Sequence, residues 1–226
     1  MVDRIDALEP VDGKSTVRVR IGEAAYEIGS ESAARLGLAP GIEVGQQLRS
    51  EIEAAADRRT AAARILRYLR ARPRTAREVG DFLSRHGHGS ATVRAVLGEL
   101  EAKGLVDDTR YAAWFVRSKR AHRPLGAARI VRELVARGVA RDLAEAAVAD
   151  RESAGESTSE LDLALAAARS RFAEAARLGR DRGMRRMQGF LSRRGFSEGV
   201  VREACFRLFA DVPRAVARTG PDPEET

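Results

Sequence analysis

Leu83-Ser84-Arg85-His86-Gly87, Leu134-Val135-Ala136-Arg137-Gly138 and Leu191-Ser192-Arg193-Arg194-Gly195 follow one pattern, a leucine four residues ahead of a glycine at the end of an amphipathic stretch. The glycines lie 51 and 57 residues apart. A glycine at such a place stops a helix, because it takes the left-handed backbone of a C-terminal cap without strain. A candidate N-cap follows each of them: Ser90, Asp142 and Ser197. Another apolar stripe comes next, with members three and four residues apart as on one helical face. The stripes are Val93, Val96, Leu97 and Leu100; then Leu143, Ala146 and Ala147; then Val200, Ala204, Cys205 and Leu208.

Each phrase is also preceded by a helical segment. The first carries Ile65, Leu66, Tyr68 and Leu69, the second Tyr111, Trp114 and Phe115, the third Leu163, Leu165, Ala168 and Phe172. Thr75 with Glu78 forms a capping box at the start of the first unit's middle helix, and Asp142 with Glu145 is a weaker version. The pattern predicts a mainly α protein of three tandem three-helix repeats, at 51–106, 107–150 and 157–210. A repeat of this size is at the lower limit for a self-sufficient core, so neighbours should stack into an elongated curved molecule.

Ahead of the repeats, residues 15–21 alternate in type as a half-buried strand does, and 25–28 read as its partner across a turn at Gly22-Glu23. A short helix over 30–36 is stopped by Gly37. A turn-rich stretch at 40–45 then leads into a helix from about 46 to 71. Residues 1–50 are therefore expected to form a small β-hairpin module. Residues 151–156 read as a linker, and the proline-bearing acidic tail over 211–226 is expected to be disordered.

Composition narrows the function. The chain has 226 residues, 44% apolar and 32% charged, with a net charge of +7 and an isoelectric point of about 10.4. The charge is uneven: 1–50 and 211–226 each carry −2, leaving +11 on 51–210. A basic body points to a polyanionic partner; Arg-rich solvated helices are the plainer explanation. Cys205 is the one cysteine, which excludes an intramolecular disulfide and suits a reducing cytosol. No apolar run is long enough to span a membrane, so a cytoplasmic location is expected.

No catalytic constellation emerges. Gly13-Lys14-Ser15 resembles the end of a phosphate-binding loop, but Leu8 stands where the first glycine would be, and no helix follows. Gly87-His88-Gly89 lacks the preceding strand and third glycine of a dinucleotide loop, with Thr92 in that place. His86 and His88 have no cysteine pair to complete a metal site. His122 lies in a basic segment, and Cys205 on an apolar stripe reads as core. Neither an enzyme nor a cofactor is expected.

Leu105-Val106-Asp107-Asp108-Thr109-Arg110-Tyr111-Ala112 is similar to the Leu-Asp-Asp-x-Arg-Phe/Tyr-Ala segment of the RecX family. Leu66-x-Tyr68-Leu69 with Arg72-Pro73-Arg74-Thr75-x-x-Glu78 resembles that family's opening helix pair. Leu83-x-Arg85-x-Gly87, Leu97-x-x-Leu100, Phe115-Val116-Arg117-Ser118 and Pro124-x-Gly126 onward to Leu134 and Gly138 extend the likeness. It covers about 15–210 and weakens in the third repeat, where Arg182-Gly183-Met184 stands in place of a Pro-x-Gly element. The resemblance implies a cytosolic regulator that binds the RecA recombinase and lodges in the groove of its filament on single-stranded DNA. It also implies suppression of ATP hydrolysis, strand exchange and filament growth, and, in some members, contact with single- or double-stranded DNA.

Two basic clusters are the candidate contact residues: Arg117, Lys119, Arg120 and Arg123 between the first and second helices of repeat two, and Arg180, Arg182, Arg185 and Arg186 at the corresponding place in repeat three. Trp114 and Phe115 could stack bases, but their place on an apolar stripe favours core. The competing reading is a winged-helix transcriptional regulator, since a three-helix unit ending in Lys103-Gly104-Leu105-Val106 resembles that fold. It would require a two-stranded wing where Asp107-Asp108 leads into a helical segment. A monomer without membrane association is expected.

Overall fold

The computed structural model describes residues 3–11, 15–122, 124–153 and 159–213. The chain divides into two compact units, Met1–Asp107 and Asp108–Thr226.

The first unit opens with strands β1 (Asp3–Arg4), β2 (Ala7–Val11), β3 (Thr16–Ile21) and β4 (Ala24–Gly29), then α1 (Ser30–Arg35) and β5 (Glu43–Val44). The expected hairpin is β3–β4, paired antiparallel from Thr16 with Gly29 to Ile21 with Ala24. It has a third strand, β2, on the other edge of β3, and a separate short ladder pairs β1 with β5. The alternation in β3 puts Val19 and Ile21 into a core with Ile5, Ile28, Val44 and Ile52. The stretch at 40–45, read as turn only, therefore contains a strand. Its partner lies some forty residues away, out of reach of local pattern.

Helix α2 (Gln46–Leu69) runs through the boundary drawn at 50/51. Its 24 residues span about 36 Å at 1.5 Å per residue. Ile52 and Ala55, on its first half, are buried with the sheet. Ala61 and Ile65, on its second half, are buried with α3 (Ala76–Arg85) and α4 (Ser90–Ala102). Leu66, expected on that apolar face, is 45% exposed. The capping box at Thr75 and Glu78 forms: the Glu78 backbone N–H donates to the Thr75 hydroxyl at 3.1 Å and the Thr75 N–H to the Glu78 carboxylate at 3.3 Å.

The second unit holds α5 (Asp108–His122), α6 (Ala127–Ala136), α7 (Arg141–Ser153), α8 (Glu160–Ala176), α9 (Arg180–Arg193) and α10 (Glu198–Leu208). The first three enclose Tyr111, Phe115, Val116, Ile130, Leu134 and Val148. The other three enclose Ala164, Met187, Leu191, Phe196, Cys205 and Phe209. In α7 the buried face is Ala144, Ala147 and Val148, while Ala146 is exposed; alanine carries too little side chain to mark a face. Residues 151–153, assigned to a linker, continue α7, and 154–156 lie outside the described residues, as does the tail from 214.

The three leucine–glycine phrases close α3, α6 and α9 identically. Gly87, Gly138 and Gly195 have φ of +84°, +93° and +83°. Each glycine N–H donates to the carbonyl three residues back, and the next residue's N–H donates to the leucine carbonyl, at 3.3 Å for Leu83, 3.2 Å for Leu134 and 3.4 Å for Leu191. This is the Schellman closure, which satisfies carbonyls that a helix end leaves open. The caps that follow are less regular than expected. Ser90 is the first residue of α4, whose N-cap is Gly89. Asp142 sits inside the first turn of α7, where its charge still faces the helix dipole. Ser197 is the N-cap of α10, but its hydroxyl donates to Glu160 at 3.2 Å instead of capping.

Candidate functional site

The basic residues of α5 and α9 do not form two equivalent clusters. Arg117 lies exposed on α5. Lys119, two residues on, is half-buried and held: its Nζ is 3.2 Å from Glu133 Oε2 and 5.1 Å from the centre of the Phe115 ring. Arg120 belongs to α5, but its side chain lies outside the described residues, as does Arg123 altogether. Arg117, Lys119 and Arg120 are helical rather than interhelical, because α5 continues to His122.

The spacing also predicts the second set between helices, yet all four arginines lie in α9. The turn comes earlier, at Gly179, whose φ of +78° lets the chain reverse and α9 begin at Arg180. Gly183, in the stretch that stands in place of a Pro-x-Gly element, is a buried position within α9. A methyl there would lie 2.5 Å from the Ala175 carbonyl oxygen and 2.5 Å from the Phe209 ring. Arg182 and Arg185 are exposed, and Arg180 is half-buried. Arg186 Nη2 is 2.6 Å from Glu174 Oε1 on α8.

Glu133 organises the charge of repeat two. Besides Lys119 it meets Arg129 Nε at 3.2 Å and Arg137 Nη1 at 3.9 Å. Burial opposes ionisation of this carboxyl. Hydrogen bonds from Lys119 and Arg129 and the charges of Lys119 and Arg137 outweigh it and hold the group below the usual carboxylate range. The i,i+4 spacing of Arg129, Glu133 and Arg137 signals two of these contacts; Lys119 comes from another helix and leaves no such signal.

Repeat two also grips repeat three. The Gly126 N–H donates to the Arg194 carbonyl at 2.9 Å. The Arg194 guanidinium donates to the Pro124 carbonyl at 3.0 Å, and Arg129 donates to the Arg193 carbonyl at 3.0 Å. The backbones touch: a methyl on Gly126 would lie 2.1 Å from the Gly195 oxygen, and one on Gly195 would lie 2.5 Å from the Arg129 backbone nitrogen. The Pro124-x-Gly126 element thus has a packing reason. It brings bare backbone onto the Schellman turn of the next repeat.

His86 and His88, and the aromatic side chains of α5, have partners within the protein. His88 Nδ1 is 2.6 Å from Asp57 Oδ1, and His86 Nδ1 is 2.7 Å from the Phe82 carbonyl. Tyr111 and Phe115 are buried and Trp114 packs against their core. Burial pushes the Cys205 thiol up to about 11, as befits a small core residue rather than a nucleophile. After Val106 the chain enters α5 at Asp108, with no room for a wing. Gly13 and Lys14 lie outside the described residues. No helix among the described residues is long and apolar enough to cross a membrane.

Known proteins resemble this chain in sequence and in fold. A family model of the second three-helix domain of RecX matches residues 107–148. Regulatory protein RecX of Halorhodospira halophila is 39% identical over 140 residues, which cover 62% of this chain and 83% of that protein. That of Streptomyces lividans is 35% identical over 149 residues, 64% and 77% of the two chains, and that of Mycobacterium avium 34% over 153 residues, 67% and 84%. Among solved structures, a crystal structure of regulatory protein RecX superposes with a TM-score of 0.76 at 21% identity, covering 90% of this chain and 98% of that one. RecX from Lactobacillus salivarius superposes with a TM-score of 0.61 at 19% identity, covering 68% and 97%.

Proposed function

The chain belongs to the RecX family of regulatory proteins, and from that premise we propose that it binds the RecA recombinase and its filament on single-stranded DNA, slowing ATP hydrolysis, filament growth and strand exchange. It acts by binding alone, in the cytoplasm, without catalysing a reaction and without a cofactor. The observation that carries this reading is the family membership, joined to a basic body of three helical repeats that leaves Arg117, Arg182 and Arg185 exposed.

Arg117 on α5, and Arg182 and Arg185 with Arg180 beside them on α9, are the contact residues of choice, toward acidic recombinase surface or the DNA that the filament carries, whereas Arg186 is held by Glu174. Lys119 has a different duty, since its ammonium is already paired within repeat two. Arginine suits both targets, because its planar fork matches carboxylate and phosphate alike.

The test is RecA's single-stranded-DNA-dependent ATPase rate as this protein is titrated in, at two salt concentrations. Inhibition well below one molecule per recombinase marks a block to filament growth. A flat rate with retained binding to duplex DNA would overturn the reading in favour of a DNA-binding regulator. Replacing Arg182 and Arg185 together by Glu should weaken inhibition without unfolding the chain, and full inhibition by that variant would remove these residues from the contact surface.

A further inference from the structure

The sequence after α10 ends in an acidic run that neither the fold nor the proposed function uses. Residues 219–226, Thr-Gly-Pro-Asp-Pro-Glu-Glu-Thr, carry Asp222, Glu224 and Glu225 and no basic side chain. The described residues end at Pro213. Its carbonyl accepts the Arg180 N–H at 3.2 Å, and Val212 packs against the core of repeat three. The acidic run is therefore tethered at the foot of α9, the helix that carries Arg182 and Arg185.

Charge and reach select its seat. Arg182 and Arg185 are exposed and stand three residues apart, on one face of α9. Among the described residues no carboxylate pairs with either. The other arginines nearby are engaged or single: Arg186 pairs with Glu174 at 2.6 Å, Arg207 with Glu203 at 2.7 Å, Arg180 is half-buried, and Arg177 stands alone at the end of α8. Asp222 lies nine residues beyond Pro213. A chain of that length spans about 15–18 Å even as a random coil, whereas Arg185 is only about 8 Å along α9 from Arg180. Pro221 and Pro223 favour an extended backbone around Asp222. In that form Asp222 and Glu224 are about 6 Å apart along the chain. Arg182 and Arg185 are about 4.5 Å apart along the helix, a difference that two long side chains close. Guanidinium groups bind carboxylates through paired hydrogen bonds.

We propose that the acidic run over 222–225 docks on Arg182 and Arg185 of its own chain, an autoinhibitory contact that a partner's anionic groups must displace. The proposal rests on the reading that these arginines engage the partner, and it names what holds them when the partner is absent. Exposed ion pairs are weak one by one, and salt screens them. The tether supplies an effective concentration in the millimolar range. Loss of the contact should therefore change apparent affinity about threefold rather than by orders of magnitude.

The test compares the full-length chain with its triple variant Asp222→Asn, Glu224→Gln, Glu225→Gln. For the contact itself, both also carry Thr226→Cys with a nitroxide label. Cys205 is fully buried, so the label goes to position 226. The label should broaden the amide signals of residues 181–186. Most of that broadening should be lost in the triple variant, in Arg182→Gln with Arg185→Gln, and in high salt. Equal broadening in the original and the triple variant would overturn the contact. For the inhibition, unlabelled chains are titrated into the recombinase ATPase at low salt. The triple variant should inhibit at about a threefold lower concentration than the original. That gain should vanish when Arg182→Gln and Arg185→Gln are present in both chains. A gain that persists there would come from net charge alone and would overturn the seat on α9. No gain at all, with the contact present, would overturn the autoinhibition. The two readings separate cleanly. Inhibition without charge-dependent broadening removes the contact and leaves the function standing; charge-dependent broadening without inhibition by either chain removes the function and the autoinhibition and leaves the contact.

Discussion

The turn at 86–88 in the first repeat and the turn at 194–196 in the third share one backbone. Gly87 and Gly195 have φ of +84° and +83°, and the same pair of hydrogen bonds closes the helix behind each. Their surroundings differ. A methyl added at Gly87 would meet nothing within 4 Å, while one at Gly195 would run into the Arg129 backbone at 2.5 Å. The following residue differs too: His88 is paired with Asp57 where the third repeat has buried Phe196. The first turn is thus a helix stop joined by a polar contact to its own unit's long helix. The third is a helix stop and also the seat of a neighbouring repeat. One local signal serves two tertiary purposes, so its value to stability must be measured site by site.

The largest effect is expected for Gly195→Ala. It combines the cost of a left-handed alanine, about 1–2 kcal/mol, with an overpacking cost of about 1–3 kcal/mol. Denaturant unfolding should show a loss on the order of 3 kcal/mol. A loss no greater than that of the same change at Gly87 would break the comparison. Next comes Gly126→Ala. Its φ is −71°, which alanine adopts freely, so the expected loss of about 2 kcal/mol is overpacking alone. A neutral result would mean that Pro124-x-Gly126 does not sit on the Gly195 turn in solution. Gly87→Ala should cost only the backbone term, about 1–2 kcal/mol.

The smallest effect sharpens the same contrast through charge. Glu133 holds Arg129, which in turn donates to the Arg193 carbonyl at the covered turn. Glu133 has its folded-state ionisation held low, so its stabilisation is complete above the unfolded value of about 4.3. It is lost as pH falls through the lower folded value. Glu133→Gln should cost about 1 kcal/mol at neutral pH, the upper end for ion pairs that keep some contact with water. The cost should vanish in strong acid, and melting curves across that range would check it. A difference between variant and original that persists unchanged in acid would show that the side chain acts by packing rather than by charge.

Much of the fold was legible because the signals are local. The capping box at Thr75 and Glu78, the glycine stops and the alternation in β3 each draw on residues a few places apart, and the structure carries all of them. The site was less legible. The arginine runs read as two matching clusters, and the structure separates them: Lys119 pairs with Glu133, Arg186 with Glu174, and Arg117, Arg182 and Arg185 are left exposed. Spacing along a helix says which charges share a face, but not which face meets a carboxylate from another helix.

Sequence by itself determined the helical repeats, their glycine closures, the β3–β4 hairpin and the family resemblance, because these rest on backbone preferences and side-chain periodicities within a turn or two of chain. Only the tertiary structure decided that β1 pairs with β5, that Gly126 and Gly195 meet backbone to backbone, and that Lys119 pairs with Glu133 from another helix. Each of these joins segments far apart in the chain, and their contacts exist only once burial of the apolar faces has brought the elements together.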